Sequence, residues 1–351
     1  MSPNPPRPSR PTKPTPQPRQ PEPDNQVEKP YALVSFPSKK PTLKHPVGHD
    51  RYLGDRLHGK LELKLTVKTA VHVSTGIVAM GADVGDRIPL IKTMAQGKQK
   101  QLTIPGSSLK GVVRSAYEAI TNSTLAVVTG KYKQEMPQDR LPCRKKEQLC
   151  PASLVFGAMD WQGLIHFTDA TCKQAKSSTG FMPSLYRPRP DQRRAYFQKG
   201  QAVGRKFYYN AVNAISGGDR GIPVQQAGTE YAFETTLQFK NLSLAEFGTL
   251  LIVLGQDANY PMALKVGGGK PIGMGTMTVE IEALEKPKTL KERYTQYAIP
   301  DTNRLTGNAL ESLANEALKA AHKDLIEKPQ LEALANILKW PTDYTAPEGM
   351  Y

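Results

Sequence analysis

The sequence predicts an α+β fold of the ferredoxin-like order β-α-β-β-α-β, with a large basic insertion, a proline-rich N-terminal arm and C-terminal helices. Two observations support this prediction. Apolar and polar residues alternate in two separate segments, which is the pattern of strands with one buried face. Each of these segments is followed by an apolar stripe at helical spacing and then by a further short strand pattern.

The first half of the pattern begins at Lys60, where four apolar residues alternate with polar ones: Leu61, Leu63, Leu65 and Val67. A loop is predicted from Ser74 to about Thr103. Ser107 and Ser108 then occupy the position of a helix N-cap. The helix after them carries an apolar stripe: Leu109, Val112, Val113, Tyr117 and Ile120. A short strand is predicted over residues 164–168.

The second half follows a long, basic, glycine- and proline-rich insertion at about residues 173–228. A strand is predicted from Tyr231 to Phe239, and Ser243 caps the next helix. A final strand is predicted over residues 276–284. RNA-recognition modules share this element order and bind RNA on the sheet surface, so the fold is also RRM-like.

The chain therefore divides into three regions. Residues 1–59 form a proline-rich basic arm and lead-in, and the first 30 of them are too polar to fold alone. Residues 60–285 form the α+β domain. Residues 286–351 form a helical extension with helices at about 308–323 and 330–339, which either pack back on the domain or contact a neighbour.

The composition favours a polyanionic partner. The 351 residues carry a formal charge of +15, with a pI of about 9.6, and such a balance is typical of nucleic-acid binding. Three cysteines do not predict a disulfide scaffold, and a reducing compartment is expected. Without an apolar signal region or a membrane-length apolar run, a cytoplasmic location is expected.

Two glycine-rich basic segments, about 150 residues apart, predict where an RNA backbone binds. They span residues 104–111 and 267–275. Glycine lets a backbone approach a ligand closely, and exposed N–H groups beside a lysine favour phosphate. The candidate RNA-binding residues are Ser107, Ser108, Lys110 and Arg114 in the first segment and its helix, and Gly267, Gly268, Gly269, Lys270 and Gly273 in the second.

The insertion adds a third candidate RNA-binding segment, because cations and aromatic residues alternate through residues 185–209. Cations bind phosphates and aromatic rings stack on bases. The cations are Arg187, Arg189, Arg193, Arg194, Arg205 and Lys206. The alternative is an insertion whose aromatic residues pack inward while its arginines are solvated.

These segments resemble motifs of the RAMP superfamily of CRISPR RNA-binding proteins. Residues 104–114, IPGSSLKGVVR, resemble the motif that opens the first helix, and residues 149–157, LCPASLVFG, resemble a second motif. Residues 164–170 resemble the strand that follows, and residues 267–275 resemble the C-terminal glycine-rich loop. The resemblance covers about 60–285. It implies an RNA-binding, backbone-type subunit of a type III CRISPR effector complex, with guide RNA, target RNA and other effector subunits as partners.

The resemblance also implies a target-cleaving aspartate in the loop after the first strand. Asp86 is the better candidate for this residue, and Asp83 is the alternative. If this subunit is catalytic, Asp86 binds Mg²⁺ or Mn²⁺ and helps the target 2′-hydroxyl attack its own phosphate. The other reading is a solvated turn aspartate. Zinc is not favoured, since Cys143, Cys150 and Cys172 lack the close pairs of structural zinc sites.

Two other functions remain open. A free-standing CRISPR-RNA processing endoribonuclease shares this fold and typically uses a histidine as general acid or base. His58 and His72 are the candidates for that role. The third reading is a non-catalytic, architectural subunit that caps the end of a complex.

Overall fold

The computed structural model describes residues 29–174, 176–185, 196–288, 294–295 and 302–348. The α-helices with described bounds are α1 (Gly106–Ile120), α2 (Pro151–Phe156), α3 (Leu244–Val253), α4 (Gly307–Asp324) and α5 (Lys328–Leu338). None of the helices in these ranges is long and apolar enough to cross a membrane.

Most of the described strands are short. They are β1 (Tyr31–Ser35), β2 (Leu57–Val67), β3 (Ser74–Met80), β4 (Leu90–Met94), β5 (Thr103–Ile104), β6 (Gly157–Ala158), β7 (Trp161–Gln162), β8 (Ile165–Phe167), β9 (Ala170–Cys172), β10 (Ser178–Met182), β11 (Phe197–Gln198), β12 (Gln201–Ala202), β13 (Gly204–Tyr208), β14 (Ile222–Gln226), β15 (Ala232–Leu242), β16 (Leu264–Lys265), β17 (Thr276–Pro287) and β18 (Thr302–Leu305).

The main sheet has the predicted ferredoxin-like topology. Its central strands lie in the order β17-β2-β15, and both β8 and β9 pair with the far side of β15. All of these pairings are antiparallel. The chain order β2-α1-β8-β15-α3-β17 therefore gives the split β-α-β arrangement, and the predicted fold class is confirmed.

The two faces of this sheet differ in chemistry. One face buries Leu61, Leu65, Phe233 and Leu237 in the main core, which also contains apolar residues of α1 and α3. The opposite face of β2 and its neighbours carries charged residues that pair with each other across strands. The ion pairs are Lys60–Glu285, Lys64–Glu280, Lys173–Glu234 and Arg304–Glu62. RNA-recognition modules stack bases on aromatic residues at this face, so β2, β15 and β17 do not form such a platform.

The C-terminal helices pack back on the domain, which settles a question that the sequence left open. Helix α4 lies along α3, and α5 lies against α1 and β1. Leu331 and Leu334 of α5 are fully buried in the main core. Helix α3 begins as predicted, because Ser243 and Glu246 form a reciprocal capping box.

The segment predicted as a loop from Ser74 to about Thr103 contains the hairpin β3–β4, so the loop prediction was wrong. This hairpin joins β10 and β14 of the insertion in a second sheet of order β10-β14-β4-β3. Strand β3 escaped the sequence analysis because its apolar residues do not alternate between buried and exposed positions. Ile77 and Met80, for example, are 63% and 59% exposed.

The lead-in before β2 also contributes to the fold. Strand β1 pairs antiparallel with β13 of the insertion, with Tyr31 opposite Tyr208. Val34 is almost fully buried and belongs to the main core. This pairing joins the lead-in to a strand about 170 residues later in the chain.

The close approach of α3 and α4 requires glycine at position 248. A Cβ atom on Gly248 would lie 1.9 Å from the carbonyl oxygen of Ala317. We therefore expect Gly248→Ala to lower the free energy of unfolding by about 1–3 kcal/mol, since the helices must move apart. Urea denaturation measures this change.

Gly111→Ala is the matched control, because Gly111 is an exposed helical glycine and a Cβ atom added there would have no atom within 4 Å. This change should raise stability by about 0.5–1 kcal/mol. Equal effects of the two changes would contradict the tight α3–α4 contact.

Candidate nucleic-acid interface

The N-terminus of α1 is fixed by a residue distant in the sequence. Pro105 is the N-cap, and the Gly106 N–H donates to Asp169 Oδ1 at 2.8 Å. A Cβ on Gly106 would lie 2.1 Å from the Phe167 carbonyl oxygen, so glycine is required there. The prediction that Ser107 and Ser108 form the N-cap was wrong. Both lie inside the first turn, where the side chain of Ser107 is exposed.

Lys110 lines a cleft of about 620 Å³ between α1 and the β8 edge of the main sheet. Its Nζ donates to the Ile165 carbonyl oxygen at 3.1 Å. Burial, followed by the nearby Arg114, lowers the pKa of this half-buried lysine. The cleft is rich in cations and imidazoles: Lys60, Lys110, Lys240, His49, His58 and His166.

Several of these cleft residues were missed by sequence analysis. Tyr52 is 71% exposed at the cleft, and its ring meets His58 edge-on at 4.7 Å between centroids. His166 is exposed on β8, opposite Gln238. Lys240 donates to the His49 carbonyl oxygen at 3.1 Å. The alternation of β8 and β15 places His166, Gln238 and Lys240 on one face, and this alternation is the signal that could have found them.

The two histidines considered for catalysis have internal partners. The Asn241 N–H donates to His58 Nδ1 at 3.0 Å, and His58 Nε2 lies 2.9 Å from the Leu53 carbonyl oxygen. His72 is buried, and its Nδ1 lies 2.7 Å from the Gln225 carbonyl oxygen. Burial lowers the pKa of His72. These contacts give both histidines a structural role.

Arg114 lies one turn after Lys110 on α1 and is half-buried. Its Nε donates to Glu118 Oε1 at 2.8 Å. The guanidinium also lies over the Phe156 ring, 6.0 Å from its centroid. The predicted RNA-binding residues Lys110 and Arg114 thus lie on the same side of α1.

The glycine-rich loop of residues 267–275 packs mainly against other backbone segments of the chain. Gly267 and Gly273 have positive φ, and a Cβ on either would lie 2.4 Å from the carbonyl oxygens of His72 and Asn213, respectively. Gly268 is exposed and has space around it, and its N–H donates to His72 at 2.9 Å. Of the predicted glycines, Gly268 therefore offers the most open backbone, while Gly269 is buried.

A buried lysine beside this loop was also missed. Lys265 is 5% exposed, and its Nζ donates to the Gly273 carbonyl oxygen at 3.0 Å and to Thr276 Oγ1 at 3.3 Å. Burial lowers the pKa of Lys265 to about 7, with a further contribution from Lys270. Lys270 is half-buried, and burial lowers its pKa as well.

Backbone hydrogen bonds connect the two glycine-rich segments through an intervening layer. Gly268 bonds to His72, Val73 accepts from Ala95, and Ala95 accepts from Thr103 just before α1. Strand β16, which precedes the loop, also lies against α1. The segments thus belong to one side of the fold, separated by the β2–β3 and β4–β5 connections.

Arg205 is engaged inside the fold. Its guanidinium donates to Glu118 Oε2 at 2.7 Å and to the carbonyl oxygens of Ser123 and Thr124. The side chain is only 9% exposed. These bonds give Arg205 a structural role, so the predicted RNA contact would require it to leave buried partners.

Lys206 lies within a cage of tyrosine rings. Its Nζ is 3.9 Å from the ring centroid of Tyr31, 4.6 Å from Tyr208 and 5.5 Å from Tyr196. Burial lowers the pKa of Lys206 to about 8. The remaining predicted cations of the insertion lie outside the described residues: Arg187, Arg189, Arg193 and Arg194.

Asp86 stands at the turn of the β3–β4 hairpin. Its Oδ2 accepts a short hydrogen bond from the Thr179 hydroxyl of β10, and its Oδ1 accepts from the Ile88 N–H at 3.2 Å. The Thr179 bond, then the Ile88 bond, lowers the pKa of Asp86. Asp83 is exposed on the same turn. The Asp86 carboxylate is thus held in one orientation by hydrogen bonds from two segments of the chain.

The structure brings no set of metal ligands together in its described part. Among those residues, no group of three or more histidine, cysteine, aspartate or glutamate side chains is arranged to hold a metal ion. Cys143, Cys150 and Cys172 are free thiols. The hydroxyl of Thr124 contacts Cys150 Sγ at 3.2 Å and Cys143 Sγ at 3.5 Å, so these thiols have hydrogen-bonding partners.

Comparison with known proteins identifies the family. Residues 64–278 match the profile of the RAMP superfamily. The chain belongs to the RAMP superfamily. The match lies within the range 60–285 of the sequence resemblance, which is thereby confirmed.

Other comparisons add little to this assignment. No curated protein matches the sequence. Among solved structures, this RAMP protein is similar to a chain of the type III-B Cmr-beta complex bound to cognate target RNA, with 14% identity and a TM-score of 0.36. That alignment covers 65% of this chain and 60% of the other, so it spans less than two thirds of the length of that structural relative.

The lowered pKa of Lys265 predicts a pH dependence of stability. The unfolded chain binds this proton up to a pH near 10.5, whereas the folded protein releases it near 7. The free energy of unfolding should therefore rise with pH between these values, by about 1 kcal/mol per pH unit from this residue.

Urea denaturation at several pH values between about 7 and about 9 measures this slope. In Lys265→Met the slope should fall by the contribution of this residue. Lys319→Met, at an exposed site on α4, should keep the original slope. Equal slopes in all three proteins would show that Lys265 keeps its proton in the folded state.

Proposed function

We propose that this protein is an RNA-binding subunit of a type III CRISPR interference ribonucleoprotein and holds the guide RNA along α1. One observation carries the proposal: Lys110, Lys240 and three histidines converge on a cleft beside the glycine-dependent start of α1. The described residues that line this cleft include no carboxylate. Membership of the RAMP superfamily and the net charge of +15 support the same function.

The cleft suits the chemistry of an RNA strand. Lys110 and Lys240 neutralise phosphates, with release of the counterions that surround them. Tyr52 presents an exposed ring on which a base can stack. Asp169 at the helix start takes the Gly106 N–H, so phosphate binding at this end falls to the lysines and the exposed Ser107. The partners under this proposal are guide RNA, target RNA and other effector subunits.

The processing-endoribonuclease alternative is less well supported by the geometry. Its candidate histidine His72 is buried, and both ring nitrogens of His58 have backbone partners. A general acid or base needs a ring nitrogen that reaches the substrate. The guide-holding proposal does not require a ring nitrogen of His58 or His72 to reach the RNA.

Cleavage of target RNA is a second part of the proposal, and it depends on Asp86. In this reaction the target 2′-hydroxyl attacks its adjacent phosphate, the 5′-oxygen leaves with a proton, and a cyclic phosphate remains. The described residues around Asp86 do not by themselves form a Mg²⁺ or Mn²⁺ site. This chain therefore contributes the Asp86 carboxylate, which has a lowered pKa, is oriented by Thr179 and lies at an exposed turn.

Removal of the Lys110 charge tests guide binding. Lys110→Met should weaken guide-RNA binding about tenfold or more, as expected for loss of one charge-assisted contact. It should also reduce the slope of log affinity against log salt by about 0.7. Filter binding with the full-length protein at several salt concentrations measures both quantities.

Lys319→Met on the exposed face of α4 is the control and should leave affinity and slope unchanged. Guide binding by Lys110→Met equal to that of the unaltered protein would contradict the proposed position of the RNA.

Asp86→Asn tests cleavage while keeping an acceptor for the Ile88 N–H. If Asp86 is catalytic, target cleavage at the position served by this subunit should fall at least about a hundredfold. Guide binding should stay unchanged. The measurement is target cleavage by the reconstituted complex in the presence of Mg²⁺.

Asp83→Asn is the matched control on the same turn and should retain cleavage. If cleavage instead persists in Asp86→Asn and is lost in Asp83→Asn, Asp83 is the catalytic residue. Unchanged cleavage in both variants would leave the chain as a guide-holding or capping subunit.

A further inference from the structure

Residues 125–148 flank α1 and form the walls of two adjoining clefts; we call this segment the basic loop. One cleft of about 570 Å³ is mainly apolar and is lined by Arg114, residues 125–128 and Met159. The other, of about 510 Å³, is lined by Lys40, Lys133, Arg144 and Lys145 among others. Residues 141–144 and Lys133 border both clefts, so the two are neighbours.

The cations of this loop differ from those of the main sheet. Lys133, Arg144 and Lys145 are exposed, and within the described residues none of the three forms an ion pair. Asp139 lines the same cleft, and its Oδ2 lies 3.8 Å from Nε of the buried Arg140. Lys60 and Lys64 on the open face of the sheet are paired with glutamates. Residues 125–148 instead carry six lysines and arginines against three carboxylates, so the basic loop has a net positive charge. Its electrostatic complement is a polyanion.

The loop continues the surface that the proposed function assigns to guide RNA. Arg114 lines the apolar cleft of the loop, and Lys110 one turn earlier lines the cleft beside β8. The hairpin β6–β7 lies between them, since Met159 borders one cleft and Gln162 the other. Two clefts therefore follow one another along α1, and the cleft of Lys40 adjoins the second.

The apolar cleft also presents exposed apolar side chains. Val127 and Met159 are 83% and 73% exposed, although both are apolar. Exposed apolar side chains beside cations are the combination that accepts the bases and phosphates of a single strand. An acidic protein surface would match the charge but would not require an open apolar cleft between cations.

We propose that the basic loop is a second RNA-contact surface, which binds single-stranded RNA leaving the cleft of Lys110. Phosphates lie against Lys133, Arg144 and Lys145, and a base enters the apolar cleft between Arg114 and Met159. This inference rests on the proposed function, because it extends the path of the same RNA strand.

The test uses the full-length protein and guide RNA, with a triple variant Lys133→Gln/Arg144→Gln/Lys145→Gln. Loss of three phosphate contacts should reduce the slope of log affinity against log salt by about 2. Affinity at low salt should fall about tenfold or more, and nuclease protection of the RNA should shorten at one end. Val127→Asp should also weaken binding, by placing a negative charge in the apolar cleft.

The matched control is Lys319→Gln/Lys323→Gln/Lys328→Gln, which removes the same charge from exposed sites on α4 and α5. It should leave the slope and the protected length unchanged. Thermal unfolding checks that both triple variants fold, and the changed side chains are exposed in each.

The outcomes separate this inference from the proposed function. If the unaltered protein does not bind guide RNA, the proposed function fails. If it binds and the loop variant shows the same affinity, slope and protection, only the basic loop inference is overturned. Loss of association with neighbouring effector subunits, with RNA binding unchanged, would likewise overturn it and make the loop a protein contact.

Discussion

Glu118 lies buried near the C-terminal end of α1, between Arg114 of the same helix and Arg205 of β13. Burial raises the pKa of this carboxyl group, and Arg205 and Arg114 oppose that change. Removing one member of a buried ion pair typically costs about 3–5 kcal/mol. Because β13 pairs with β1, this interaction joins α1, the insertion and the N-terminal lead-in, and so fixes the helix on which the candidate interface depends.

The positive charge of the protein thus separates into two groups. Arg205, Lys206 and Lys265 lie within the fold and bind carboxylates, carbonyl oxygens or aromatic rings. Lys110 and the exposed cations of the basic loop instead line clefts at the surface. The internal group fixes the geometry of the surface, and the surface group supplies its charge. Net charge alone favours a polyanionic partner, and the division between these groups is the basis for the proposed position of the contact.

The element order was predictable because its signals are local: strand alternation in β2 and β15, and the Ser243 capping box of α3. The cap of α1 was not predictable, since Asp169 lies 63 residues from Gly106. The nearby Ser107 and Ser108 also fit the sequence pattern of an N-cap. Strand β3 lacked alternation because its apolar residues are exposed. The cation–aromatic pattern around Arg205 and Lys206 was ambiguous, since an RNA surface and an internal tyrosine cage have the same composition. The RNA-contact and catalytic residues remain predictions.

Under the proposed function, guide RNA lies in the cleft of Lys110 beside α1 and away from the Lys64–Glu280 pair on the open face of the sheet. Ultraviolet cross-linking of guide RNA to the reconstituted complex, followed by mass spectrometry of the cross-linked peptides, tests this placement most directly. Cross-links should occur at cleft residues such as Tyr52, Lys110 and His166. Cross-links confined to the open face around Lys64 and Glu280, with none beside α1, would contradict this placement.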